Sequence, residues 1–405
     1  MKTIFLFLFF SLKLSADTNC QTMRNYKDFY RCSIVKHPGF QVAKLKTLEG
    51  DAIFERSTQL KNPEIELKDT SGSKLGEKIG TTEIALSVPL SQVWTKGSER
   101  AVGKAEQRIL EIESKEALMS IKKEVLKDIY RLRQIEEESH LSDDAVSSFE
   151  KVVRQLKDRR ARGPEQEITL NLVELALGDY ELKKNHLAIE KSEILSRVKA
   201  IWGPQEEMKK EYLPPLKDQW PSLDEGHIGT GFGVQKLIAE SEKADAEQRV
   251  VNWASLPELN VGPIAERTIE GPNQHWEYGV LVSMSLPLFS LNSGSRKLAE
   301  TKAAQARYMS DYAQKKSLVE KSILIQKYKT AVESLRKSSS RKELTRKHEK
   351  IDSLFRQGLA AGGIVIEAHR QITEFTESQH EHEMLALDSY VEIMSLAGKD
   401  VEGIL

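Results

Sequence analysis

The chain repeats itself at long range, and any fold proposed for it must be built from two like halves. Asn62-Pro63-Glu64-Ile65-Glu66-Leu67 has a counterpart in Leu256-Pro257-Glu258-Leu259-Asn260-Val261. Val88-Pro89-Leu90, with Gly97-Ser98 soon after, matches Leu286-Pro287-Leu288 with Gly294-Ser295. Arg162-Gly163 matches Gln357-Gly358, and Ile201-Trp202-Gly203 matches Leu396-Ala397-Gly398. The offset stays between 194 and 198 residues throughout. One such pair would be noise, whereas four in order and in register argue for a duplicated architecture.

Each half follows one plan: a helix, two short strands, then long helical segments. The opening helices are expected over Phe40 to Leu60 and Val234 to Val251. The strands alternate. Trp276, Tyr278, Val280, Val282, Met284 and Leu286 share one face, opposite Glu277, Gly279, Leu281, Ser283 and Ser285. Ile65 and Leu67 oppose Glu64, Glu66 and Lys68, and Ile84, Leu86 and Val88 oppose Glu83, Ala85 and Ser87. The third strand, with Leu259 and Val261, runs into Gly262-Pro263, and proline belongs at strand ends or edges. Apolar-out, polar-in strands of about ten residues suit a transmembrane barrel, with Trp276 and Tyr278 in its interfacial aromatic belt. The edge of a soluble sandwich alternates in the same way. Four strands cannot close a barrel alone, because the smallest use about eight. Strands that span a membrane here must therefore be shared among protomers.

Long amphipathic helices account for the composition: 30% charged, 39% hydrophobic, 7% aromatic, with mean hydropathy −0.46. Segments are expected over Ser98 to about Leu141, Ser142 to about Ile201, Ser295 to about Lys337 and Ser340 to Ala397. Apolar residues recur at coiled-coil-like intervals, as in Val125, Ile129, Leu132 and Ile135. Gly163-Pro164, and Gly358 with Gly362-Gly363, interrupt the second segment of each half, which should split into two stacked helices. Sixty Lys and Arg against 61 Asp and Glu leave no basic field for nucleic acid.

Met1-Lys2 followed by the apolar run Ile4 to Leu12 reads as an export signal with cleavage near Ala16. Cys20 and Cys32 would form a local disulfide in an oxidising periplasm, with two free thiols in a flexible leader as the alternative. The expected organisation is a signal peptide over 1–16, a first repeat over 17–203, a linker over 204–231, a second repeat over 232–398 and a tail over 399–405. No phosphate loop, nucleophile elbow or metalloprotease His pair is present in the sequence, so no catalytic, cofactor or metal residue is assigned. His380-Glu381-His382-Glu383 reads as a solvated charge run, since residues i and i+2 do not share a helix face.

Over essentially the whole mature chain the pattern resembles the TolC-type outer-membrane efflux family. The resemblance is carried by Asn62-Pro63-Glu64, Val88-Pro89-Leu90, Leu286-Pro287-Leu288-Phe289, and the stretch from Phe355-Arg356-Gln357-Gly358-Leu359 to Glu367-Ala368-His369-Arg370. The run Pro287 to Asn292 looks most like the heavy-metal-efflux, CzcC-like branch. The resemblance implies a mainly α fold with a membrane β part. Duplicated helical hairpins form a periplasmic tunnel, and four strands per protomer enter a trimeric twelve-stranded barrel in the outer membrane. It implies a homotrimer in outer-membrane lipid, partnered by a periplasmic adaptor and an inner-membrane transporter, serving as a passive exit duct. Aligned on Gly358, Glu367 falls where the family places a constriction acid and Ile364 where it places another. An ordinary exposed helix glutamate is the alternative for Glu367. Gly163 and Gly358 would mark helix-tip bends where the adaptor docks. Two other readings compete: a periplasmic adaptor, which should carry one hairpin, and a soluble periplasmic coiled-coil protein.

Overall fold

A computed structural model describes residues 20, 23–74, 77–158, 163–203, 208–217, 219–223, 229–270, 272–285, 292–338, 341–357 and 361–405. Within them the order is α1 (Tyr26–Lys36), α2 (Pro38–Thr58), β1 (Glu64–Lys74), β2 (Glu77–Pro89), α3 (Gln92–Lys157) and α4 (Pro164–Trp202). The second half follows with α5 (Phe232–Trp253), β3 (Leu259–Glu270), β4 (Asn273–Met284), α6 (Ser293–Lys337), α7 (Arg341–Arg356) and α8 (Gly362–Ala397). The expected export signal and the run 286–291 lie outside the described residues.

Helix α3 departs from expectation. It does not end near Leu141 but runs unbroken for 66 residues, about 100 Å at 1.5 Å per residue. Ser142 does not start a new helix, because its hydroxyl donates back to the Glu138 carbonyl at 2.9 Å within the same helix. The break comes instead at Gly163-Pro164. There Gly163 is the N-cap of α4, Pro164 takes the first turn where its missing N–H costs nothing, and Glu165 and Glu167 face the helix dipole. The stacked pairs therefore differ from those expected. Helices α2 and α4 lie in succession along one side of α3, and α5 and α8 along another. Lys46 of α2 and Lys236 of α5 both reach Glu113 of α3, at 2.7 and 2.6 Å. Farther along α3, Arg197 of α4 pairs with Asp128 at 2.6 Å and Glu392 of α8 with Lys123 at 2.8 Å. Much of the high charge content sits in such inter-helix ladders. In the second half, the break after Lys337 falls where the sequence placed it.

The strands form one antiparallel sheet in the order β1-β2-β3-β4, so the central β2–β3 pairing joins the two repeats. Strand β3 is continuous and interior, which overturns the weak, edge-like reading of Gly262-Pro263. The β2–β3 ladder accommodates them by skipping a step: Ala85 pairs with Ile264 and Val88 with Val261, with no pairing between. Proline lacks the N–H that such a pairing would use. Gly262 is required there, because a Cβ would lie 1.5 Å from the Leu86 carbonyl oxygen.

The largest core sits at mid-height, where α1, α3, α6 and α8 meet. Phe29 stacks between Trp202 at 5.2 Å and Tyr212 at 5.0 Å. The inter-repeat segment supplies Tyr212, and the tail beyond α8 supplies Val401 and Ile404, all buried. Cys20 is joined to Cys32 of α1 by a disulfide with a Cα–Cα distance of 5.7 Å. No described helix is long and apolar enough to cross a membrane.

Candidate functional site

Two regions can carry function: the sheet, and the far end of the helical layer. Strand pairing sorts the sheet residues into rows. Ile65 lies opposite Leu86, and Leu67–Ile84–Ala265–Tyr278 form one row across all four strands. Val88–Val261–Val282 form another, and Leu259 lies opposite Met284. These apolar rows are the exposed face: Ile65 is 76%, Tyr278 80% and Val280 71% accessible. In β2 the alternate residues are more enclosed, with Ala85 fully buried between Ile84 and Leu86, while those of β1 and β4 are largely exposed as well. A soluble sheet would bury the apolar face and expose the polar one. Here the apolar face is left exposed.

The opposite face is charged. Lys68, Glu83, Glu266 and Glu277 stand side by side in one row, one from each strand. Lys68 pairs with Glu66 at 3.1 Å and reaches Glu83 at 3.8 Å. Sequence reading detected the alternation but not this row, because only the register brings Lys68 and Glu277 to the same height. Strands β1 and β4 each keep one unpaired edge. Trp276 and Tyr278 both sit on the apolar face of β4, half and largely exposed.

At the far end, α3, α4 and the start of α8 share a second core of Phe149, Val152, Leu156, Leu170, Val173, Tyr180 and Val365. Helix α8 enters tightly, since a Cβ on Gly362 would lie 2.9 Å from Thr169 of α4. His369 meets Phe149 edge-on at 5.2 Å, and Tyr180 shares a 3.1 Å hydrogen bond with Thr373. Val365 is buried in this core, while Ile364 is exposed and Glu367 half-buried. The Glu367 carboxylate accepts from Arg370 at 3.0 and 2.7 Å and from Gln371 at 2.8 Å. The Arg370 hydrogen bonds, then that of Gln371, hold its carboxyl below the usual carboxylate range. Arg370 also bonds Glu374 at 2.7 Å. Gly163 lies at this same tip, ahead of α4; Gly358 is outside the described residues.

A third cluster lies buried along the middle of α3. His380 of α8 points one ring nitrogen at Glu138, 2.6 Å away, and the other at Glu137, 3.1 Å away. Glu138 also accepts two bonds from Arg131, at 2.9 and 3.2 Å, and Arg131 bonds Glu190 of α4 twice, at 2.7 and 2.8 Å. Glu383 pairs with Arg133 and accepts from Gln134 at 2.8 Å. Nε and Nη1 of Arg133 are buried without a hydrogen-bond partner among the described residues. The charge-run reading of 380–383 is thus half corrected: Glu381 and His382 face outward, but His380 and Glu383, three apart, share the buried face. No group of three or more His, Cys, Asp or Glu able to hold a metal occurs among the described residues.

Among solved structures, the chain is similar to a membrane protein from Pseudomonas aeruginosa, with a TM-score of 0.71 at 12% identity over 92% of this chain and 90% of that one. The outer membrane protein VceC of Vibrio cholerae gives 0.66 at 13% identity over 93% and 97%. The CmeC outer membrane channel of Campylobacter jejuni gives 0.67 at 13% identity over 96% and 90%. No family model and no curated protein sequence matches. At these identities the likeness is one of fold, and the fold is the one shared by these outer-membrane proteins.

Proposed function

We propose that the chain is a protomer of an outer-membrane channel, a passive exit duct fed by an inner-membrane transporter through a periplasmic adaptor. One observation carries this reading: a four-stranded sheet whose apolar face is left exposed and whose opposite face carries a charged row. Strands of 11 to 13 residues, tilted about 45°, suffice to span a bilayer. The apolar rows then meet lipid, with Trp276 and Tyr278 at the interface, and the charged row meets a water-filled lumen.

The free edges support assembly. Strands β1 and β4 differ, so pairing of β1 of one copy with β4 of the next is head-to-tail, the arrangement that closes into a ring when the rotation between copies divides the circle. The helical layer has matching unfilled seams. Ile168, Leu175, Leu182 and Ile189 lie exposed at every seventh position of α4, and Tyr312 and Val319 lie seven apart on α6. The number three is taken from the TolC-type resemblance, which makes the ring a twelve-stranded barrel with a helical tunnel on the periplasmic side. Membrane fractionation tests the reading. Recovery in the outer membrane as a heat-modifiable oligomer supports it, and recovery as a soluble periplasmic monomer overturns it.

The tip is the proposed periplasmic entrance, with Ile364 and Glu367 at its constriction and the Gly163 and Gly358 bends as the adaptor's docking points. Arg370 masks much of the Glu367 charge. In planar bilayers under a salt gradient, Glu367→Gln should therefore shift the reversal potential slightly towards anions. Arg370→Ala, which unmasks Glu367 and Glu374, should shift it further towards cations. Unchanged potentials in both would remove the two residues from the pore. The lumen row makes a separate contribution: Glu266→Gln with Glu277→Gln should lower cation preference whatever Glu367 does.

A further inference from the structure

We propose that His380 is a proton-dependent latch: as an imidazolium wedged between Glu137 and Glu138 it fastens α8 to α3, and losing its proton as pH rises loosens α8. A neutral imidazole has one N–H and one lone pair, so it can satisfy only one of two facing carboxylates and repels the other. Both ring nitrogens here face carboxylate oxygens, at 2.6 and 3.1 Å, and the ring is 5% exposed. Only the doubly protonated ring fits both.

The surrounding charges reinforce this. Helix α3 contributes Glu137, Glu138, Arg131 and Arg133; α4 contributes Glu190; and α8 itself contributes Glu383. One turn nearer the tip, Lys183 of α4 pairs with Glu377 of α8. On the α6 side, Gln379 donates to Ser338 at 2.7 Å and brings no charge. Four carboxylates thus face two guanidiniums, which are already engaged with Glu138, Glu190 and Glu383. The imidazolium is the cation placed between Glu137 and Glu138. Burial works to lower the ring's pKa, but the hydrogen bonds and charges of Glu137 and Glu138 outweigh it and raise it. Stability from such a group is fully present below the ordinary histidine value of about 6.5 and is lost as pH rises through the raised one. Acidic media should hold the latch shut and alkaline media release it.

The consequence reaches the tip because α8 is one helix from Gly362 to Ala397, and Glu367 lies about 20 Å from His380 along it. That last step rests on the channel reading; the latch itself does not. Lys217 senses Glu383 and is pushed down to about 8 by burial and by Lys27, so a pH profile of the wild type alone would mix the two groups.

Hydrogen exchange of the full purified protein between pH 6 and 9, corrected for intrinsic chemical exchange, separates them. Wild-type α8 should lose protection by roughly threefold or more as pH rises, while His380→Gln should show little of that loss. Identical profiles in the two proteins would overturn the latch. Should His380→Gln fail to fold, Glu137→Gln removes one facing charge at the more exposed contact. It should move the wild-type fall to lower pH, and an unmoved fall would equally overturn the proposal. Exchange reads α8 directly, so a failure to conduct would count against the channel reading and leave the latch standing.

Discussion

Gly262→Val should abolish assembly while leaving the helical layer able to fold. A Cβ at position 262 would lie 1.5 Å from the Leu86 carbonyl oxygen and 2.6 Å from its carbon. Those are backbone atoms of β2, so no rotamer change relieves the clash. The β2–β3 pairing, which joins the two repeats, has to open around the point where it already skips a step. A cost of more than about 4 kcal/mol is expected, at the extreme of single-substitution effects. Gly279→Ala is the control. Its Cβ would meet only the Ile264 side-chain methyl at 3.2 Å, a group that can turn away. Heat-modifiable oligomer on gels should vanish for Gly262→Val and persist for Gly279→Ala. Equal yields would mean that β2 and β3 do not approach as described.

The second large effect belongs to the buried pair across α3 and α8. Glu383→Ala strands the Arg133 guanidinium, which is 6% exposed and has two nitrogens already without hydrogen-bond partners among the described residues. Breaking one side of such a pair costs about 3–5 kcal/mol, because the remaining charge stays buried and uncompensated. Replacing both, Arg133→Met with Glu383→Leu, should cost far less, since the desolvation cost disappears with the charges. Chemical denaturation of the purified protein measures both. A double variant no more stable than Glu383→Ala would contradict the pairing.

Sequence reading succeeded where the signal is local. Strand alternation has a period of two, so Trp276, Tyr278, Val280 and Val282 declare a common face without knowledge of their neighbours. The expected bounds of α2 and α5 fall within about two residues of those observed, whereas β1, β2 and β3 extend well beyond the residues that the alternation marked. Sequence reading failed where partners are distant. A second segment is expected from Ser142, yet mid-helix its hydroxyl is satisfied by the Glu138 carbonyl, and no Gly or Pro interrupts α3 there. Gly262-Pro263 read as a strand end because a skipped ladder step cannot be inferred from one strand alone. The Lys68–Glu83–Glu266–Glu277 row needs the register of three pairings. His380 and Glu383 looked solvated because the α3 residues that bury them lie about 240–250 positions away.

The central claim is that copies of this chain share one barrel. The most direct measurement is the mass of the detergent-purified protein by light scattering, followed by conductance of the same sample in planar bilayers. Three times the chain mass of 45.9 kDa, less the leader, with discrete conductance steps, is the predicted result. A monomeric mass with no conductance would contradict it, because four strands with two open edges cannot close a pore alone.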